Sequence, residues 1–387
     1  MYDAQIAGVY TTEQARDLSG RGAFSLALEA LQGAVADAGL SLSDIDGVCA
    51  NVLEWPLFGT DAPPFLTTDG QFWAKQLGRP LSYSDAGFAS IFGVMNAAEA
   101  IDAGRVQTVA LIGAGARPPQ QGKTAAWTRM GYEFTEWTGS YTAVQYALVA
   151  QRYIHEFGDA AIEAMAEISA TIRNFGHLNP EAVYYGRGPF TPDDILESRP
   201  IASPLTLLMC PSVNDGAACV ILTSRERAAS GPKKPIDILA GARQVAYPMY
   251  FDAPLLDAVP DASAFVRREM SRTGITYDDI DVVEAYDHFA IGVLLESELY
   301  GFCGRGEAAD WVKTGVLRLD GRYPTCTDGG LHSHSHNGMP PLFPLIEAVR
   351  QLRGEACTQV PGAEVAFVTN PGPPTCAGDF MIVARGR

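Results

Sequence analysis

The chain has 387 residues, 47% of them hydrophobic and 19% charged, with a formal net charge of −17, a mean hydropathy of +0.02 and a pI of about 4.7. Such a length and apolar fraction support a large core in one big domain or two coupled ones. The acidic balance argues against nucleic acid and anionic membrane surfaces as partners.

No apolar run approaches the roughly 18 residues of a membrane span. The start, MYDAQIAGVYTTEQARD, has no basic segment followed by an apolar core, so no secretory signal is expected. Seven scattered cysteines (Cys49, Cys210, Cys219, Cys303, Cys326, Cys357, Cys376) form no C-x-x-C pair. They read as reduced thiols of a cytoplasmic protein.

In chain order, SLALEALQGAVADA at 25–38 has helical spacing and leads through GLSLSDIDGV at 39–48 into an apolar strand. Residues 84–113, SDAGFASIFGVMNAAEAIDAGRVQTVALIG, read as a small-residue loop, a helix, a turn at Gly104 and a strand. Residues 116–200 form a long aromatic, proline-bearing insertion with one helix predicted over 142–156. Insertions of this kind cap an active site or form an interface. AACVILTS at 217–224 is a buried strand, and ERAASGPKKP at 226–235 a polar linker.

The pattern then repeats. A helix, AFVRREMSRT at 264–273, leads through GITYDDIDVV at 274–283 into a strand. LESELYGFCGRGEAADWV at 295–312 reads as an amphipathic helix, a glycine-rich turn and a second helix. Its glycines are structural, since no strand precedes them with nucleotide-motif spacing. Residues 333–370, from SHSHNGMPPLFPLIEAVRQLRGEA to EVAFVTN, again give loop, helix, turn at Gly354 and strand. Two α/β halves, 1–225 and 236–387, thus point to a duplication about a pseudo-twofold axis.

Three of the six histidines crowd into GGLHSHSHNGM at 329–339. In an extended loop His332, His334 and His336 would share one face, a spacing that could serve zinc. A loop coiled against a helix start would separate them, and no carboxylate or cysteine ligand is obviously supplied, so no metal is expected.

The segments YDHFAIGVLLESELYGFCGRGEAADWV, SVNDGAACVILTS, DGGLHSHSHNGM and EAVRQLRGEA resemble the thiolase superfamily, in its sterol-carrier-protein-X and lipid-transfer-protein branch. The resemblance covers nearly the whole chain. It implies an α/β thiolase fold of duplicated αβαβα halves. A thiolase carries a nucleophilic cysteine on the loop before the first-half helix, activated by the helix N-terminus and a histidine. Here that position falls on Gly87, and no cysteine lies between Cys49 and Cys210. Ser90 is either a substitute nucleophile or part of the helix N-terminus. The second thiolase cysteine corresponds to Asn370 or a neighbour, with Cys376 six residues too late.

The resemblance also aligns the oxyanion loop with Tyr286-Asp287-His288-Phe289 and the activating histidine with His336. Without either thiol, acyl transfer gives way to retro-aldol cleavage. A base takes the β-hydroxyl proton, the Cα–Cβ bond breaks, and donors hold the thioester enolate until an acid protonates Cα. Steroid side-chain aldolases resemble this pattern. They lack the nucleophile, share a Tyr-Asp-His-Phe loop, and release a ketone and a short acyl-CoA. They tend to carry a tyrosine where His336 stands, a departure that leaves open which group is acid and which base.

On this reading His336, Tyr286, His288 and Asp287 are catalytic candidates. Tyr286, with an ordinary phenol pKa of about 10, suits an oxyanion donor or acid. His288 acts directly or orients Tyr286, and Asp287 takes part or bonds nearby backbone. Gly87, Ser90, Tyr250, Asn370 and Gly338 are substrate-binding candidates, although Tyr247 and Tyr250 could equally be surface aromatic packing. No cofactor is required by the chain, and coenzyme A enters as part of the substrate. A homodimer working with a small zinc-bearing OB-fold partner is expected, in the cytoplasm, with no nucleic acid or membrane. The other functions left open are a thiolase or acyltransferase with an unusual nucleophile, and a non-catalytic acyl-CoA-binding subunit.

Overall fold

A computed structural model describes residues 2–18, 20–54, 70–85, 90–116, 142–244, 262–334, 342–371 and 378–386. Its strands are β1 (Ala4–Thr11), β2 (Gly47–Glu54), β3 (Tyr83–Asp85), β4 (Thr108–Ala116), β5 (Pro200–Ala202), β6 (Leu205–Thr206), β7 (Gly216–Ser224), β8 (Ile236–Ala242), β9 (Val282–Glu284), β10 (Val365–Thr369) and β11 (Phe380–Arg385). Its helices are α1 (Ala23–Asp37), α2 (Gly70–Leu77), α3 (Ile91–Asp102), α4 (Thr142–Phe157), α5 (Ala160–Leu178), α6 (Pro192–Leu196), α7 (Arg225–Ala228), α8 (Ala262–Thr273), α9 (Ala290–Leu299), α10 (Ala308–Lys313), α11 (Gly330–Ser333) and α12 (Leu342–Arg353).

Both copies of the Asp-Ile-Asp motif fold alike. Ser41 and Thr276 each open a short 3-10 turn and donate, through the backbone N–H, to the carboxylate three residues on, Asp44 or Asp279, at 2.8 Å. This is a capping box, which satisfies donors that a turn otherwise leaves open. Gly104 and Gly354, at the predicted turns, have φ of 68° and 76°, a left-handed conformation that a Cβ would oppose.

Among the described residues nine strands form one sheet in the order β3-β2-β4-β7-β1-β8-β11-β10-β9. Read outward from the central β1–β8 pair, each side runs antiparallel, antiparallel, then parallel: β1-β7-β4-β2 and β8-β11-β10-β9. The duplication is therefore visible in strand order and polarity.

Five layers follow. Helix α1 buries Leu26, Leu31 and Val35 in an outer core with β4 and β7 residues. Helices α3 and α12 share a central core with strands of both halves, and helices buried all round read as almost continuously apolar. Helices α4, α5 and α9 close the far side.

Two sequence expectations change. The insertion holds a second long helix, α5, directly after α4. Its small-and-apolar spacing AAIEAMAEISATI was readable. The helix expected to be amphipathic, α9, is instead buried from Ala290 to Ser297, Glu296 included, because α5 and α4 cover its outer face.

Candidate active site

The segment after β9 is fixed through its backbone. Tyr286 N donates to Thr369 Oγ1 at 2.9 Å and to Glu296 Oε2 at 3.3 Å. Thr369 ends β10, so the bond sets Tyr286 beside Asn370, whose own N–H donates to the Asp379 carbonyl at 2.9 Å. Tyr286 is buried, and its ring lies 4.7 Å from the His288 ring. His288 Nδ1 sits 2.6 Å from the Tyr286 carbonyl, which orients the ring. From the insertion, Tyr146 of α4 meets His288 edge-on at 4.5 Å and stacks on Phe289 at 4.5 Å.

Asp287 is wholly buried and ties this loop to the histidine-rich one. It accepts from Leu331 N at 2.7 Å, from His332 N at 3.2 Å and from His332 Nδ1 at 2.7 Å. Gly330, at φ +54°, permits the approach, since a Cβ there would stand 2.3 Å from the carboxylate. Burial works to raise the Asp287 carboxyl, but these donors outweigh it and hold it below the ordinary range. Burial likewise lowers His332, so the pair is a carboxylate and a neutral imidazole that donates from Nδ1.

Sequence reasoning missed Arg173. It lies fully buried on α5 and donates to the carbonyls of Leu208 at 2.7 Å, His332 at 2.8 Å and Cys210 at 2.9 Å. Its positive charge balances the buried Asp287 carboxylate. His334 is caged separately. Its Nε2 lies 3.0 Å from the Asp328 carbonyl and 3.4 Å from Asn179 Nδ2, and its Nδ1 lies 3.3 Å from Gln14 Nε2. His332 and His334 thus face different partners, because α11 is a helical turn and not an extended strand. Among the described residues no group of three His, Cys, Asp or Glu could hold a metal.

Ser90 caps α3, its Oγ accepting from Gly93 N at 3.3 Å. Ile91 next to it belongs to the central core that also holds Tyr286 and Leu331. Gly87, Tyr247, Tyr250, His336, Gly338 and Cys376 lie outside the described residues.

The buried and half-buried thiols are poor nucleophiles. Burial pushes Cys49, Cys210 and Cys303 up to about 12 and also raises Cys219 and Cys326 well above the ordinary thiol value. Cys326 also feels the negative charge of Asp287. A thiolate, the reactive form, is suppressed in each.

Beneath the histidine loop, Thr327 Oγ1 lies 2.9 Å from both Glu284 Oε1 and Glu347 Oε1, all of them buried. Burial and mutual repulsion raise Glu284 well above the ordinary range, and burial raises Glu347 to about 8. Between about pH 4.5 and 8 the folded chain therefore keeps protons that the unfolded chain has released, so stability falls as pH rises. Glu347→Gln keeps the acceptor for Thr327 and Gln351 and removes the titration. It should stabilise the chain by about 1–3 kcal/mol at pH 7.5 and by little at pH 4.5. Urea unfolding at the two pH values checks this, and equal effects at both would sink it.

The thiolase C-terminal domain-like family matches residues 254–385. The 17-hydroxy-3-oxo-4-pregnene-20-carboxyl-CoA lyase of Mycobacterium tuberculosis is 32% identical over 384 residues, which cover 95% of each chain. This chain belongs to the thiolase-like family. The steroid side-chain-cleaving aldolase of Thermomonospora curvata is 31% identical over 396 residues, 96% of each chain. Among solved structures, the Ltp2-ChsH2(DUF35) aldolase matches with a TM-score of 0.83 and 28% identity over 99% of this chain and 98% of that one. The family read from Tyr286-Asp287-His288-Phe289 and DGGLHSHSHNGM is thereby borne out, as is the thiolase fold. Among the described residues no helix of this thiolase-like chain is long and apolar enough to cross a membrane.

Proposed function

We propose that the chain is a carbon–carbon lyase that cleaves the side chain of a β-hydroxyacyl-CoA of the steroid class. The reaction is a retro-aldol step. The β-hydroxyl proton leaves to a base, the Cα–Cβ pair becomes the thioester enolate as Cβ becomes a ketone, and an acid returns a proton to Cα. The observation that carries this reading is full-length similarity to two enzymes named as such a lyase and such an aldolase. Glycine at 87 and raised thiols elsewhere support a route with no covalent acyl-enzyme.

Tyr286 is the oxyanion donor or acid on this reading, and His336 the acid–base group. Asp287 and His288 hold the loop, while Ser90 and Asn370 border the substrate. Residues 1–225 and 236–387 are the two thiolase halves. The chain needs no cofactor of its own, and coenzyme A arrives with the substrate. It works in the cytoplasm as a homodimer with a small zinc-bearing OB-fold protein. The solved Ltp2-ChsH2(DUF35) aldolase, a complex by its name, supports a partner protein of the DUF35 type.

The test is to incubate the chain and such a partner with a steroid β-hydroxyacyl-CoA. A ketosteroid and a short acyl-CoA should appear in equal amounts. Trapping of a covalent acyl-enzyme by mass spectrometry, with no ketone released, would overturn the proposal in favour of acyl transfer.

A further inference from the structure

Glu296 is 3% exposed, on a helix packed between the sheet and the insertion. Its Oε2 accepts from Tyr286 N at 3.3 Å and, in a very short contact, from the Thr369 hydroxyl. Thr369 Oγ1 in turn accepts from Tyr286 N at 2.9 Å. Three groups thus close a ring that joins the turn after β9 to the end of β10. The other carboxyl oxygen, Oε1, is buried with no protein partner among the described residues. Glu296 also lines a cavity of about 20 Å³ among Val283, Tyr300, Trp311 and Tyr323, the room of about one water molecule.

We propose that Glu296 is a positioning residue of the site, whose carboxyl group clamps the Tyr286 backbone to the end of β10 and so fixes Tyr286 against Asn370. The proposal rests on the reading of Tyr286 and Asn370 as site residues. A buried carboxylate without a counter-charge is costly, and the charged neighbour acting on Glu296 is Asp287, itself an anion. Burial, with that charge, pushes Glu296 well above the ordinary carboxyl range, so it serves as a neutral acid. Protonated at Oε1, it donates toward the cavity and leaves Oε2 free to accept both bonds. A small displacement of a reacting group is enough to cost a large part of its rate, which gives the clamp a kinetic consequence.

The experiment compares Glu296→Gln, Glu296→Ala and Glu296→Asp with the unaltered chain in the presence of its partner. Gln keeps the acceptor and the volume, Ala removes the clamp, and Asp draws the carboxyl back by one methylene. With steroid β-hydroxyacyl-CoA, Ala and Asp should lower kcat by roughly 10–100-fold at nearly constant KM, while Gln stays within about threefold. Amide hydrogen exchange over 285–289, which needs no substrate, should speed up in Ala and Asp and not in Gln. If Ala does not fold, Asp and Gln carry the comparison. Native exchange and kcat in Ala or Asp would overturn the clamp, and so would a Gln variant as impaired as they are. If the unaltered chain releases no ketone while exchange follows the expected order, the lyase reading fails and the clamp stands.

Discussion

Asp287→Ala should destabilise the folded chain by about 3–5 kcal/mol at pH 7, measured by urea unfolding. The loss has three sources. Leu331 N and His332 N lose their acceptor, and His332 Nδ1 loses its partner, all in a wholly buried setting. Arg173, fully buried, loses the anion that balances it. The sign with pH follows from the folded carboxyl lying below its ordinary value. Its contribution is present above the unfolded pKa near 4 and is lost as pH falls through the lower folded value. Variant and unaltered chain should therefore converge in acid. Asp287→Asn keeps one acceptor and loses the charge, so it should fall between them. A loss below about 1 kcal/mol at pH 7 would mean that the two loops are held together by something other than Asp287.

Particular residues show how far the sequence reaches. Ser41 with Asp44 and Thr276 with Asp279 are local, three residues apart, and the repeat they mark was legible along with the two-half architecture. The buried strands Thr108–Ala116 and Gly216–Ser224 announced themselves as apolar runs. Asp287 could be read only as a residue that either reacts or binds backbone, because its partners lie 44 and 45 positions away. Arg173 and Glu296 were hidden for a stronger reason. Each sits on a helix whose spacing resembles that of a surface helix, and a charged residue is normally exposed. Only the packing of α5 against α9 and α11 buries both. The histidine cluster misled through adjacency: His332 turns to Asp287 while His334 turns to Asp328, since two residues at a helical turn point to roughly opposite sides.

Tyr286→Phe should lower the turnover of a steroid β-hydroxyacyl-CoA by about 10²–10⁴-fold with little change in stability or KM. The backbone N–H of residue 286 is held by Thr369 and Glu296, so phenylalanine inherits that placement and loses the hydroxyl. Its ring keeps the contact with His288 at 4.7 Å. If the phenol supplies a donor to the enolate oxygen or a proton to Cα, the effect falls on kcat, because that charge develops only as the Cα–Cβ bond breaks. His336→Ala should cause a loss of similar size, and its pH–rate profile should lose one limb if the imidazole carries the proton at that step. The double variant separates two arrangements. Losses that multiply mean independent roles, whereas a double variant no worse than the worse single one means that both act on one proton transfer. A Tyr286→Phe enzyme with full kcat would remove the phenol from the chemistry and leave residue 286 a wall of the site.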